Sequence, residues 1–254
     1  MLVVLGIGIV CGLAQATVVA DTTAFWEFNN TLSDSSGNGH HGAATNGDVS
    51  YITDGAATAL LQTRPGAAPQ IYATVPGSSQ FQFSGDGGYT IEARVKFPSD
   101  GEINVILDGT APGVGGWFLR TDAAGKLQSD AWDGSGEREA TSDLTVADGT
   151  WHHVAAVFDG STDALTLYVD YQADGYIDYT NDTPLTGMIG TAGDFWIGRN
   201  WAGNRTSAGA IDYIRVSNVA LSPSQFVGVP EPSAIALLTS GLLGLLAYAW
   251  RKRG

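Results

Sequence analysis

The stretch DSSGNGHHG at 34–42 puts an acid and an amide on a glycine-rich loop. Hard divalent cations take oxygen ligands, usually carboxylates joined by carbonyls from a tight loop. Asp34 and Asn38 are therefore candidate calcium ligands. The competing reading is an Asx-turn in which Asp34 caps its own loop. A second stretch, DYQADGYIDYTN, sets Asp170, Gln172, Asp174, Gly175, Ile177 and Asp178 near the ligand positions of a helix-flanked calcium loop. Asn181 stands where the closing bidentate acid belongs, so a strand over 165–170 with a hairpin turn at Asp174-Gly175 is the better reading. The histidines come as neighbours, His40-His41 and His152-His153. Neighbours on a strand face opposite ways, so neither pair is a metal clamp. His153 shares a face with Trp151 and Ala155 and reads as core. Three tryptophans adjoin glycine-rich stretches: Trp117 in GVGGW, Trp132 in AWDGSG and Trp201 in NWAGN. Rings exposed there would stack on sugars, whereas Trp26, Trp151 and Trp196 fall within strand patterns and read as core. No G-x-S-x-G nucleophile motif is present.

The chain carries 12 Lys+Arg against 26 Asp+Glu, a formal net charge of −14. So acidic a surface argues against nucleic acid and anionic lipid as partners, and suits divalent cations and neutral sugars. The one cysteine, Cys11, lies in an apolar opening stretch with small residues at its end, MLVVLGIGIVCGLAQATVVA. Residues 1–20 read as a signal peptide cleaved after Ala16 or Ala20, although no basic residue precedes the apolar run. The mature protein would then have neither disulfide nor thiol chemistry.

Residues 229–254 form a second apolar segment. Positions 233–250 are uncharged, and a helix of them would span about 27 Å, close to the hydrocarbon thickness of a bilayer. Arg251, Lys252 and Arg253 would hold that end in the cytoplasm and leave the folded part outside. Pro230-Glu231-Pro232, the apolar helix and the basic tail together closely resemble the PEP-CTERM sorting signal of Gram-negative bacteria. The resemblance implies recognition by an exosortase, a membrane cysteine protease-transpeptidase. The tail is then a temporary membrane anchor, and delivery is to the cell surface or an extracellular polysaccharide matrix.

Between these ends, over 21–228, the hydrophobic period is two. YTIEARVKF alternates Tyr89, Ile91, Ala93, Val95 and Phe97 with Thr90, Glu92, Arg94 and Lys96, the pattern of a half-buried strand. WHHVAAVF is apolar on both faces and reads as a central strand. Gly/Asp breaks separate such runs and no amphipathic helix is evident, so the expected fold class is all-β, a two-sheet antiparallel sandwich or barrel in one domain. AFWEFNNTLSDSSGNGHHGAA, YTIEARVKF, WHHVAAVFDGSTDALTLYVD and FWIGRN…GAIDYIRVSNVALSPSQF, in that order, resemble the laminin G-like, concanavalin A-like jelly rolls. In related jelly rolls a calcium near the first and last strands is often held by the Asp of the IDYIRV block. The resemblance thus adds Asp212 to Asp34 and Asn38, unless Asp212 only neutralises Arg215. The glucanases of this fold carry Glu-x-Asp-x-x-Glu or Glu-x-Asp-x-Glu on one strand. No such run exists here, since Glu137 and Glu139 lack the central Asp. The expectation is a non-catalytic carbohydrate-binding, structural or adhesive domain with polysaccharide as a partner. The alternative is a glycan hydrolase with an unrecognised carboxylate pair.

Overall fold

Alternation decides the architecture. In a computed structural model, which describes residues 21–64, 70–178 and 184–229, Tyr89, Ile91, Ala93, Val95 and Phe97 are all fully buried along one face of a nine-residue strand. The signal peptide, Pro230, Glu231, Pro232, the apolar helix expected at 233–250, and Arg251, Lys252 and Arg253 lie outside the described residues. Among those described, the helices are single 3-10 turns at Ser79–Phe81 and Pro223–Gln225.

The first strands are β1 (Thr22–Trp26), β2 (Ala43–Thr45), β3 (Ser50–Asp54), β4 (Ala57–Gln62), β5 (Tyr72–Val75) and β6 (Phe83–Ser84). The long β7 (Gly88–Lys96) leads to an antiparallel meander, β8 (Val105–Asp108), β9 (Gly116–Thr121), β10 (Lys126–Trp132) and β11 (Glu137–Thr145). Then come β12 (His152–Asp159), β13 (Ala164–Val169), β14 (Gln172–Asp178), β15 (Met188–Ile189), β16 (Phe195–Ile197) and β17 (Gly209–Ser217). One sheet runs β14-β13-β12-β7-β17-β4-β3, with β1 on β17 beyond the reach of β4. The other runs β11-β10-β9-β8-β16-β5-β2, and β6 pairs β15 in a small third sheet. Neighbours within the two large sheets are antiparallel, with long crossovers such as β7 to β17, so the fold is the expected two-sheet jelly roll.

Aromatic rings fill the space between the sheets. Phe195 meets Phe81 at 4.5 Å and Trp117 at 5.3 Å between centroids, and Trp26 at 6.1 Å. Buried rings with polar atoms need partners. Trp26 Nε1 donates to the His40 carbonyl (2.8 Å), Trp117 Nε1 to that of Phe81 (3.0 Å), and the Tyr89 hydroxyl to that of Asp130 (3.0 Å).

The polar side of β7 is shut off from water at Thr90 and Glu92. Residues 218–226 fold back over it: the Val219 carbonyl accepts from the Thr90 hydroxyl, whose oxygen accepts the Leu221 N–H. Beneath this strap Glu92, Arg215 and His153 form a buried ionic cluster, with His153 stacked between Tyr171 (4.3 Å) and Phe226 (5.4 Å). His153 is thus buried, as expected, but on the outer side of its sheet beneath the strap, since Val154, Ala156 and Phe158 are the residues of β12 that face the core. The β13–β14 hairpin turns at Asp170-Tyr171, both left-handed (φ 48° and 69°), four residues before the expected Asp174-Gly175. That earlier turn lets Asp170 accept from the His153 N–H (3.1 Å) and engage the His152 ring (2.9 Å), so the stretch is a hairpin and not a cation loop.

Candidate functional site

The seven-stranded sheet presents its outer face as a continuous row. Glu139 stands opposite Asp130, Asp130 opposite Phe118, Phe118 opposite Asp108, Asp108 opposite Trp196, and Trp196 opposite Thr74. Residues directly opposite on adjacent strands share a face, and the alternate positions (Trp117, Leu119, Ala131, Ala140, Phe195, Ile197) form the core. With strands about 4.8 Å apart, this row from β11 to β5 measures about 24 Å.

Two arginines lie over rings of this face. The Arg120 guanidinium sits 3.9 Å from the Phe118 centroid, and its Nε donates to Gln128 Oε1 at 2.8 Å. Gln128 in turn donates to Glu139. The Arg199 guanidinium lies 4.6 Å from the Tyr72 ring and 5.8 Å from that of Trp196. Trp201, 46% exposed, donates its backbone N–H to Asp108 Oδ2, while Thr110 N–H bonds Oδ1 at 2.9 Å.

Burial raises the pKa of Asp108, against the bonds from Thr110 and Trp201 and the charge of Arg120. Asp130 is pushed up to about 8, first by burial and then by the like charges of Glu137 and Glu139. Its Oδ1 is buried and finds no donor. Flat rings next to fixed donors and acceptors suit a ring-shaped, polyhydroxylated ligand, whose C–H faces stack while its hydroxyls bond.

Of the three tryptophans expected at a sugar site, Trp132 and Trp201 belong to this region. Trp132 ends β10, shares the face of Asp130 and Gln128, and is half-buried. Trp117 is a correction: it is 1% exposed in the core. Glycines crowd it because the ring needs room: a Cβ on Gly109 would lie 2.5 Å from the ring, and one on Gly190 2.7 Å from its Nε1. Trp196 and Trp151, expected in the core, are half-exposed on outer faces, Trp151 beneath the Arg94 guanidinium at 4.5 Å.

The structure does not gather Asp34, Asn38 and Asp212 around one ion. Asp34 spends both oxygens on its own loop and on β1, accepting from the N–H groups of Phe25 (2.9 Å), Ser36 (2.8 Å) and His40 (2.9 Å) and from the Ser36 hydroxyl (2.8 Å). Burial works against ionisation there, yet these bonds hold its pKa below the ordinary value. Asn38 Nδ2 donates to the carbonyls of Thr22 and Thr23, both at 2.9 Å. Thr22 lies opposite Ser217, five residues or about 17 Å along β17 from Asp212. Asp212 pairs with Arg94 at 2.7 Å, not with Arg215, whose partner is Glu92.

Comparison with known proteins adds the family. The model of the concanavalin A-like lectin/glucanase superfamily (Laminin G 3) matches residues 66–226. The chain belongs to this superfamily. The PEP-CTERM protein-sorting motif matches residues 228–253, which marks an exported protein that is sorted to the cell envelope and processed by an exosortase. No curated protein matches the chain. Among solved structures, this superfamily member is similar to domain 4 of AbnA, a GH43 extracellular arabinanase from Geobacillus stearothermophilus, in complex with arabinotriose. Identity is 22%, the TM-score 0.60, and the match covers 81% of this chain and 96% of that one. It is also similar to the binding domain of botulinum neurotoxin serotype D/C VPI 5993 (13% identity, TM-score 0.63, 82% and 51% covered). A botulinum neurotoxin DC binding domain in complex with SialylT matches at 12% identity and TM-score 0.59, covering 82% and 50%. The chain thus spans about half the length of those toxin domains, and the likeness is one of fold.

Proposed function

We propose that this exported jelly roll is a non-catalytic carbohydrate-binding or adhesive component of the cell surface or extracellular matrix, and that it meets glycan on the outer face of its seven-stranded sheet. One observation carries the reading: half-buried Trp196 and Trp132 and exposed Trp201 share that region with Gln128, Thr74 and Asp108. Rings at a sheet surface cost solvation unless something covers them, and a sugar chain covers them without displacing any core. The sorting motif suits that place of work, since a polysaccharide matrix is where a released surface protein would lie.

A second reading has an observation of its own. Asp130, held protonated to about pH 8, and Asp108 stand two strands apart on this face, about 9.6 Å between backbones, near the carboxyl separation of inverting glycosidases. Incubation with a panel of polysaccharides separates the two. Retention of the protein without release of reducing ends is expected, and reducing ends that disappear in Asp130→Asn would make it a hydrolase. Intact mass of the surface-recovered protein tests the sorting half: the residues after the Pro230-Glu231-Pro232 region should be gone, and persistence of Arg251 to Gly254 would restore a permanent anchor.

A further inference from the structure

The chain has 26 acids and 12 bases, so a cation should rarely lack a carboxylate partner. Three bases belong to the C-terminal tail. Of the other nine, five are paired: Arg64 with Asp100, Arg94 with Asp212, Lys96 with Asp54, Arg138 with Asp163 and Arg215 with Glu92. Among the described residues Arg120, Lys126, Arg199 and Arg205 form no ion pair. Their placement is not scattered. Arg120 and Lys126 project from the outer face of the seven-stranded sheet, opposite Gln128 and Thr145, and Arg199 lies on Tyr72 and Trp196 of the same face.

Arg205 closes the group. It lines a cavity of 350 Å³ with Arg64, Gln70, Asn204 and Glu102, and its charge reaches Arg120. Burial, then repulsion by Arg205, lowers the Arg120 pKa, while Glu139, Asp108 and Asp130 oppose that from a distance without contact. The like charges of Arg120 and Arg205 oppose each other, and an anion supplied from outside relieves that. Arginine's planar fork matches a planar carboxylate through two parallel bonds.

We propose that Arg120, Arg199 and Arg205 make the sheet's outer face a site for an acidic polysaccharide, one whose sugar rings carry carboxylate groups. The inference rests on the glycan-binding reading above and deepens it. Rings of the polymer stack at Trp196 and Trp201, while its uronate groups take the arginines that form no ion pair among the described residues. Bulk attraction does not account for such binding, because a net charge of −14 repels polyanions.

The test uses the full chain in non-ionic detergent, with polygalacturonate and its carboxyl-reduced neutral form as probes and dextran sulfate against dextran as a second pair. Polygalacturonate should bind at least about tenfold more tightly than its reduced form, as the loss of one charge-assisted contact implies. Arg199→Gln and Arg205→Gln should each remove most of that preference with unchanged melting, and Lys96→Gln, on the other sheet, should keep it. Equal binding of the charged and reduced polymers would overturn the inference and leave glycan binding standing. Binding of dextran sulfate alone would overturn the carboxylate assignment. Retention on neither pair but on another polymer of the panel would overturn the inference only, and retention on none would overturn both.

Discussion

Glu92→Gln removes one charge from the cluster beneath the strap and changes almost no volume. Glu92 is fully buried, and Arg215 and His153 are 2% and 3% exposed. In the native protein Arg215 Nε donates to Glu92 Oε1, His153 Nε2 meets Oε2 at 2.9 Å, and Arg215 Nη2 donates to the Gln225 carbonyl at 2.6 Å. Breaking a buried ion pair by removing one partner costs about 3 to 5 kcal/mol, because the remaining charge is stranded out of water. For a domain of this size that lowers Tm by about 6 to 20 °C. Arg215→Met in the same background removes the stranded charge, so the double variant should recover much of the loss. Thermal and urea unfolding of the four proteins in the cycle measure the coupling. Hydrogen exchange should report faster opening at the Leu221 amide, which Thr90 holds in the strap. A Glu92→Gln protein within about 1 kcal/mol of the parent, or effects that simply add, would refute the idea that this cluster fastens 218–226 to the sheet.

Two further outcomes follow from the titrating groups. Asp34→Ala frees the N–H groups of Phe25, Ser36 and His40 and should cost about 3 kcal/mol, or about 6 to 12 °C in Tm, with or without calcium. Because the folded-state pKa of Asp34 lies below 3.8, its contribution is present above that value and lost as pH falls through the folded pKa, so the parent should lose more stability in acid than Asp34→Ala. A chelator effect that vanishes in Asp34→Ala would instead make the carboxylate a metal ligand. Asp130 has the opposite sign: with a folded pKa of about 8 against 3.8, it keeps a proton that the unfolded chain releases, so stability falls as pH rises between those values. Asp130→Asn should flatten that slope and melt above the parent near pH 7.5; a lower melting temperature at every pH would show that the acid is needed for the fold.

The strands of the sandwich were legible because period two survives in short runs such as YTIEARVKF, and the order of the blocks made the jelly roll recognisable. The site was half legible. Trp201 is exposed, as its glycine-rich stretch suggested, and Trp132 is half-buried at the end of β10, yet the same period, applied strictly, would have turned Trp196 outward and Trp117 inward. In Phe195-Trp196-Ile197 the two aliphatic and aromatic neighbours face the core and turn Trp196 outward. In GWFLRT, Arg120 fixes the outward face, which Phe118 shares, and Trp117 with Leu119 must face inward. Glycine near a tryptophan signalled a close approach, not exposure. The burial of Glu92 could not be read locally, since the strap that covers it arrives from more than a hundred residues away. Asp34 shows a different limit: an acid on a glycine loop looks the same whether its oxygens bind an ion or three N–H groups.

The most direct test of the account is retention of Trp196→Ala on the polysaccharide that holds the parent protein. Trp196 lies mid-sheet with its neighbours Phe195 and Ile197 buried on the other side, so truncating it should leave Tm nearly unchanged. Loss of a stacking platform is worth about 1 to 3 kcal/mol, roughly five- to 150-fold in affinity. The outer face of the seven-stranded sheet is the glycan site if Trp196→Ala, folded and melting like the parent, loses retention by that factor. Undiminished retention would place the glycan, or the function, elsewhere on the molecule.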